Sequence, residues 1–231
     1  MKRLKRICQY IFSIFKTFGL SIVRKIEFAI FKVQWTQRNL NNKTSPVKCF
    51  PINLVSVGDY SYGPIDVYTY YALEEGLKIG KYCSIAKDVK FILGGNHDTN
   101  CIMTFPIKNK FVDGNINEST TKGNIILQDD VWVGLGATIL SGVILGQGCV
   151  VAAGSVVTKS FPAYSIIGGN PAKIIKMRFD EEVINELINN ELLISEYSPE
   201  FILNNIDLFS NNLNINSINQ LQINFYKNKK I

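Results

Sequence analysis

The 231-residue chain predicts an all-β solenoid, a parallel β-helix of triangular cross-section, on three observations. Aliphatic residues recur every six positions, at Leu127, Val133, Ile139, Leu145, Val151 and Val157. Two positions ahead of such steps stand small or medium residues: Val131, Ala137, Val143, Cys149 and Ser155. Glycines complete the unit. Gly134 and Gly146 directly follow their aliphatic residues, and Gly136, Gly142, Gly148 and Gly154 come three after theirs, where a tight corner needs freedom at φ > 0. An α-helix, with 3.6 residues per turn, would scatter a six-residue period over every face. Short strands joined by corners keep it on one side. With three hexapeptides to a coil, each inward aliphatic stacks on the one eighteen residues later, giving a continuous axial core.

The same step recurs upstream at Val67, Leu73, Ile79, Ile85 and Phe91, and Val57–Tyr62 is a further unit out of phase with these. Between the blocks, from Gly94 to Asn124, the register is lost, which reads as an excursion loop, of a length that marks functional or disordered segments. It carries the only histidine, His97. Beyond Lys173 the repeat ends. Phe179–Ser195 reads as a helix that caps the open end of the solenoid, Phe201–Phe209 as a second short helix, and the Asn-rich stretch after it as a poorly ordered tail.

At the other end, Leu4, Ile7, Cys8, Ile11, Ile14, Phe15, Phe18, Ile22, Val23, Ile26, Ala29, Ile30 and Val33 follow the three-and-four spacing of an amphipathic helix. The polar run Asn41–Pro46 reads as a linker. The chain thus divides into a helix and linker (1–46), the solenoid with its loop (47–178, loop 94–124), terminal helices (179–210) and a tail (211–231).

Composition narrows the function. A hydrophobic content of 46% is that of a folded globular protein. The net charge of +6 is concentrated in the first 33 residues, where Lys2, Arg3, Lys5, Arg6, Lys16, Arg24, Lys25 and Lys32 face a single acid, Glu27. With no basic stripe interleaved with aromatics elsewhere, this distribution argues against nucleic acid. It leaves two readings of the N-terminal helix, an anionic membrane surface or a docking site on the protein or a neighbouring subunit. Lys16, Arg24 and Lys25 interrupt the apolar run, so neither a signal peptide nor a membrane span is expected. Five scattered cysteines without CxxC spacing suggest reduced thiols in a cytoplasm, neither a disulfide framework nor a zinc site.

The repeats, the loop sequence Gly94-Gly95-Asn96-His97 and the ending Gly168-Gly169-Asn170-Pro171-Ala172-Lys173 together resemble the hexapeptide-repeat acyltransferases, over roughly Val55 to Phe209. The match is closer to the xenobiotic acetyltransferase branch, which holds streptogramin and chloramphenicol acetyltransferases and many polysaccharide O-acetyltransferases. The resemblance implies a left-handed coil, a homotrimer with sites between subunits, acetyl-CoA as co-substrate and no metal. It also implies that His97 is the general base that takes the proton of an acceptor hydroxyl as it attacks the thioester. Free imidazole, with a pKa near 6.5, suits that task at neutral pH. Trp132, in Asp130-Val131-Trp132-Val133-Gly134, is implied to line the acceptor and thioester tunnel, and Tyr62 and Tyr70 to face the acceptor. Leu135 and Gly136 would lie beside the pantetheine arm, Ala153 and Thr158 along the next coils, and Lys159, Lys173 and Lys176 near the nucleotide phosphates.

Three departures stand out. Met103 and Ile107 flank Thr104-Phe105-Pro106 where the family has Ser and Phe, Leu135 is bulkier than the serine of some relatives, and Glu191–Tyr197 replaces a tryptophan-rich segment. Cys101, four residues from His97, admits a Cys–His nucleophile, although direct transfer explains the loop without one. No GxSxG, P-loop or dinucleotide fingerprint competes. The expected activity is O-acetylation of a surface polysaccharide or its sugar precursor. The alternatives are antibiotic acetylation, N-acetylation of a nucleotide-linked amino sugar, and a non-catalytic scaffold.

Overall fold

The computed structural model describes the backbone of residues 2–189 and 196–228. Its centre is a left-handed parallel β-helix with three faces. The first face stacks β2 (Val55–Val57), β4 (Leu77–Ile79), β7 (Ile125–Leu127) and β10 (Ile144–Leu145). The second stacks β1 (Lys43–Pro46), the start of β3 (Tyr62–Tyr68), β5 (Ser84–Ile85), β8 (Trp132–Val133), β11 (Val150–Val151), β13 (Ser165–Gly169) and β14 (Ala172–Met177). The end of β3, β6 (Lys90–Ile92), β9 (Thr138–Leu140) and β12 (Val156–Val157) make the third. All pairings are parallel except β13 with β14, which run antiparallel after a turn at the cis Asn170–Pro171 bond.

The six-residue period becomes geometry in the register. Ile144 lies opposite Ile126, Val150 opposite Trp132 and Val156 opposite Thr138, each pair one eighteen-residue coil apart. Leu127, Val133, Ile139, Leu145, Val151 and Val157 all point inward and are buried. Each such side chain contributes about 1.5–3 kcal/mol of burial, which is how a core of two- and three-residue strands holds together. Gly136, Gly142, Gly148 and Gly154 turn the corners at φ between +68° and +76°.

One step of the expected register fails. Leu73 is 90% exposed, on a turn spanning 69–76, because that turn lengthens the first coil: Val67 stacks on Phe91, not on a residue eighteen later. Six-residue counting passes through Leu73 by coincidence.

The flanking segments depart from expectation only in part: the N-terminal helix forms and docks on the protein, as one of its two readings held. Helix α1 (Lys2–Arg38) sets Phe28, Phe31 and Trp35 against Phe50 and the first coil, and Trp35 Nε1 donates to the Thr44 carbonyl at 3.2 Å. Its C-terminal half therefore closes the start of the solenoid. The supposed linker contains β1, whose residues Lys43–Pro46 pair with Tyr62–Ile65. A polar run became a strand because the exposed edge of β3 offers it a backbone ladder.

Helix α2 (Glu181–Asn189) falls within the stretch predicted to be helical, whose remainder, 190–195, lies outside the described residues. Helices α3 (Pro199–Asn204), α4 (Ile206–Ser210) and α5 (Ile215–Asn228) follow. The tail is thus a helix over most of its length. Ile218 and Leu221 bury against Tyr197 and Phe201, with Phe225 packed alongside, and this contact overrides the weak helix propensity of its asparagines. Among the described residues this region packs along a corner of the solenoid, and none of its helical residues joins the axial core: Tyr82 Oη donates to the Tyr197 carbonyl ahead of α3 at 2.7 Å, and Arg178 ahead of α2 pairs with Asp130 at 2.9 Å. Phe161, Ile167 and Ala172 make the last layer of the core.

Candidate active site

The loop leaves the solenoid after β6, at the corner between the third and first faces, and returns at β7. Its two arms are tied together just ahead of His97. Asn96 and Thr120 exchange both backbone bonds at 3.1 and 3.0 Å, and Gly95 N–H donates to Ser119 Oγ at 3.1 Å. Below them Asn96 Nδ2 reaches Ser141 Oγ, on the next coil, at 3.4 Å. These ties hold a segment outside the core in one conformation.

His97 is exposed in a cleft of about 710 Å³ between the arms, with Tyr70, Asp98, Met103, Phe105 and Glu118 also on its walls. Its Nδ1 lies against the Thr104 carbonyl oxygen. A carbonyl only accepts, so in the neutral ring this contact selects the tautomer with its hydrogen on Nδ1 and its lone pair on Nε2. This contact orients the ring within the cleft.

Tyr70 sits on the 69–76 turn, and its ring covers Gly95. A Cβ at Gly95, where φ is +86°, would lie 2.8–3.0 Å from three ring carbons. Glu75, which sequence reasoning missed, holds that turn. Its buried carboxylate accepts from Tyr70 N–H at 3.1 Å, from Tyr71 N–H at 2.8 Å and from the Thr69 hydroxyl. Asn117 adds bonds from Nδ2 to the Tyr70 and Tyr71 carbonyls at 3.0 and 2.7 Å. No spacing in the sequence marks Glu75 or Asn117. Their role follows from two loops leaving one corner.

The Cys–His reading finds no support. Asp98, itself held below the ordinary carboxylate range by the Asn100 N–H and the Cys101 thiol, accepts from that thiol and pushes the pKa of Cys101 up. A thiol so held is a poorer source of thiolate.

The remaining candidates lie elsewhere on the chain. Tyr62 and Trp132 are exposed on the outer surface of the second face, in a lateral row that runs Tyr62, Ser84, Trp132, Val150, Ile166 and Lys176. Leu135, Gly136 and Ala153 stack at the corner between the second and third faces, where Gly154 N–H donates to the Leu135 carbonyl at 2.8 Å. Beside Gly136 and Gly154 no atom lies within 4 Å of where a Cβ would stand, which leaves room for a slender chain. Thr158 and Lys159 are exposed across the third face, just after β12, and Lys173 is exposed on β14. The structure brings His97 and Tyr70 into one cleft and leaves Tyr62 and Trp132 outside it.

Residues 125–159 match the family described as the hexapeptide repeat of succinyl-transferase. A probable macrolide acetyltransferase of Lysinibacillus sphaericus is 40% identical over 148 residues, 61% of this chain and 81% of that protein. A chloramphenicol acetyltransferase of Agrobacterium fabrum is 37% identical over 153 residues, 59% of this chain and 73% of its own length. The crystal structure of a hexapeptide-repeat acetyltransferase from Vibrio cholerae aligns at 26% identity with a TM-score of 0.43, over 55% of this chain and 64% of that one. By its repeat and by the two sequence relatives, the chain belongs to the hexapeptide-repeat acetyltransferases, in the branch that includes macrolide and chloramphenicol acetyltransferases, and is an acyltransferase.

Proposed function

We propose that the chain transfers acetyl from acetyl-CoA to a hydroxyl, with His97 as general base, and that the acceptor is a polyhydroxylated sugar of a surface polysaccharide or its precursor. The observation that carries the reading is the His97 ring, tied through Nδ1 to the Thr104 carbonyl and so left basic at Nε2 in the cleft beside Tyr70. In this scheme Nε2 takes the acceptor proton as the hydroxyl oxygen bonds to the thioester carbon. The C–S bond then breaks, and the same proton passes to the departing thiolate. Asp98, Asn109, Asn117, Glu118 and Ser119 on the cleft walls supply the hydrogen-bonding groups that a sugar ring requires. The open column beside Gly136 and Gly154 suits a pantetheine arm, and Lys159, Lys173 and Lys176 are cations for its phosphates.

The separation of His97 from Trp132 and Tyr62 within one protomer supports a homotrimer, in which the loop of one copy would face the second face of its neighbour. Antibiotic acetylation is the second reading, favoured by the activities in the names of the two relatives and by Met103, Phe105 and Ile116 on the cleft wall.

The test is thiol release from acetyl-CoA across a panel of capsule sugars, chloramphenicol, a macrolide and a streptogramin, for the parent and His97→Ala. Removing a general base lowers turnover by about 10²–10⁴-fold. Undiminished transfer by His97→Ala refutes the base. Turnover confined to the drugs moves the acceptor to the second reading.

A further inference from the structure

We infer that α1 lays its free face on an anionic lipid surface and holds the enzyme there. The helix uses only one side on the protein. At 100° per residue, Phe28, Phe31 and Trp35 point to one side, and these are the residues that meet the first coil. Ile22, Val23, Ile26, Ala29, Ile30 and Val33 fall on the opposite side, within an arc of roughly 120°. Ile26 and Ile30 are each 54% exposed and Val33 58%, so docking on the solenoid leaves this stripe untouched. The backbone helix continues to Lys2, and in the sequence Leu4, Cys8, Ile11 and Phe15 keep the same spacing.

Charge selects the occupant. Eight of the first 33 residues are basic against the single acid Glu27, and Arg24, Lys25 and Lys32 are exposed. An anionic bilayer complements both halves of this pattern: the apolar stripe enters the headgroup boundary while the long basic side chains reach its phosphates. A second copy of the helix complements neither half. It would bring like charges together, and the seven-residue row Leu4, Ile11, Phe18 continues into Lys25 and Lys32, which interrupt a helix–helix seam. Among the described residues no helix is long and apolar enough to cross a membrane, so the contact is a surface one.

The full chain is tested by co-sedimentation with vesicles of phosphatidylcholine alone and of phosphatidylcholine with about one third phosphatidylglycerol. Binding to the anionic vesicles alone is expected, weakening as salt rises from about 0.1 M to about 1 M and the Debye length shrinks from about 10 Å to about 3 Å. Ile22→Asp/Ile26→Asp, which alters exposed positions away from the docked side, lowers the bound fraction by roughly tenfold or more while thermal stability holds. Failure to sediment with either vesicle overturns the inference, as does equal binding by the double variant or indifference to lipid charge. If the parent ignores vesicles and the double variant changes oligomeric state in light scattering, the stripe belongs to a second copy of the chain.

Discussion

Replacing Gly95 with alanine tests whether the position of His97 is set by the turn beneath it. Two costs follow from the structure. At φ +86° an L-residue is strained by about 1–2 kcal/mol relative to glycine. The new Cβ would also lie 2.8 Å from Tyr70 Cζ, 2.9 Å from Cε2 and 3.0 Å from Cε1, where ordinary carbon contacts are about 3.5–4.0 Å. The turn cannot yield freely, because Glu75 and Asn117 bind the backbone of Tyr70 and Tyr71, which leaves a swing of the ring about its own torsions or a movement of the loop. Ring or loop must therefore shift by about 1 Å, and a displacement of that size at a reacting centre costs on the order of 10²-fold in rate. The core is untouched, so the expected signature is uneven: kcat/KM for the acceptor found in the panel falls roughly 10–100-fold, while urea unfolding shows a loss of about 2 kcal/mol or less. A Gly95→Ala enzyme with parental kcat/KM refutes the argument that this packing positions His97. A collapse of global stability would place the loop inside the folding unit instead.

Two other predictions follow. Leu127→Ala removes an inward side chain that is 1% exposed and is expected to cost about 2–5 kcal/mol, whereas Leu73→Ala, in the same six-residue count but 90% exposed, should stay within about 0.5 kcal/mol; similar losses in denaturant titrations would contradict the register described here. Because Asp98 raises the Cys101 pKa above the ordinary thiol value of 9.0, the reactive thiolate of Cys101 is scarce at neutral pH and accumulates only at higher pH. Alkylation of the Cys101 peptide, followed by mass spectrometry, should be slow near pH 8 and speed up in Asp98→Ala, and Cys101→Ser should retain acetyl transfer. Loss of activity in that variant would restore the nucleophile reading.

The solenoid was legible from sequence because inward positions of short strands impose a period that no helix shares, and the buried run Leu127 to Val157 obeys it without interruption. Leu73 misled for the same reason: a period specifies spacing but does not reveal that a coil has been lengthened by a turn. β1 and α5 were illegible because neither is formed by its own composition. Lys43–Pro46 is a strand only because β3 presents an edge, and α5 is a helix only because Ile218 and Leu221 find Tyr197 and Phe201. In the candidate site the motif led to His97, but the parts that orient it are a backbone carbonyl at Thr104 and a turn braced by Glu75. A carbonyl has no letter in the sequence, and a buried carboxylate looks like any surface acid until the fold places three donors around it.

The two ends of the second face bear on a hazard built into every repeat of this kind. A stack of parallel coils offers its last strand as a template for the next, and nothing in a hexapeptide says where addition should stop, so a bare end invites filament growth from one molecule to another. Here the final strand of the face, β14, runs backwards, so a parallel strand arriving in register finds the polarity of the ladder reversed. The opposite edge is β1, short and polar, with Lys43 and Pro46 at its termini, one a charge and the other a residue without an N–H to offer. On this face the addition of a further strand is thus opposed at both ends by local chemistry.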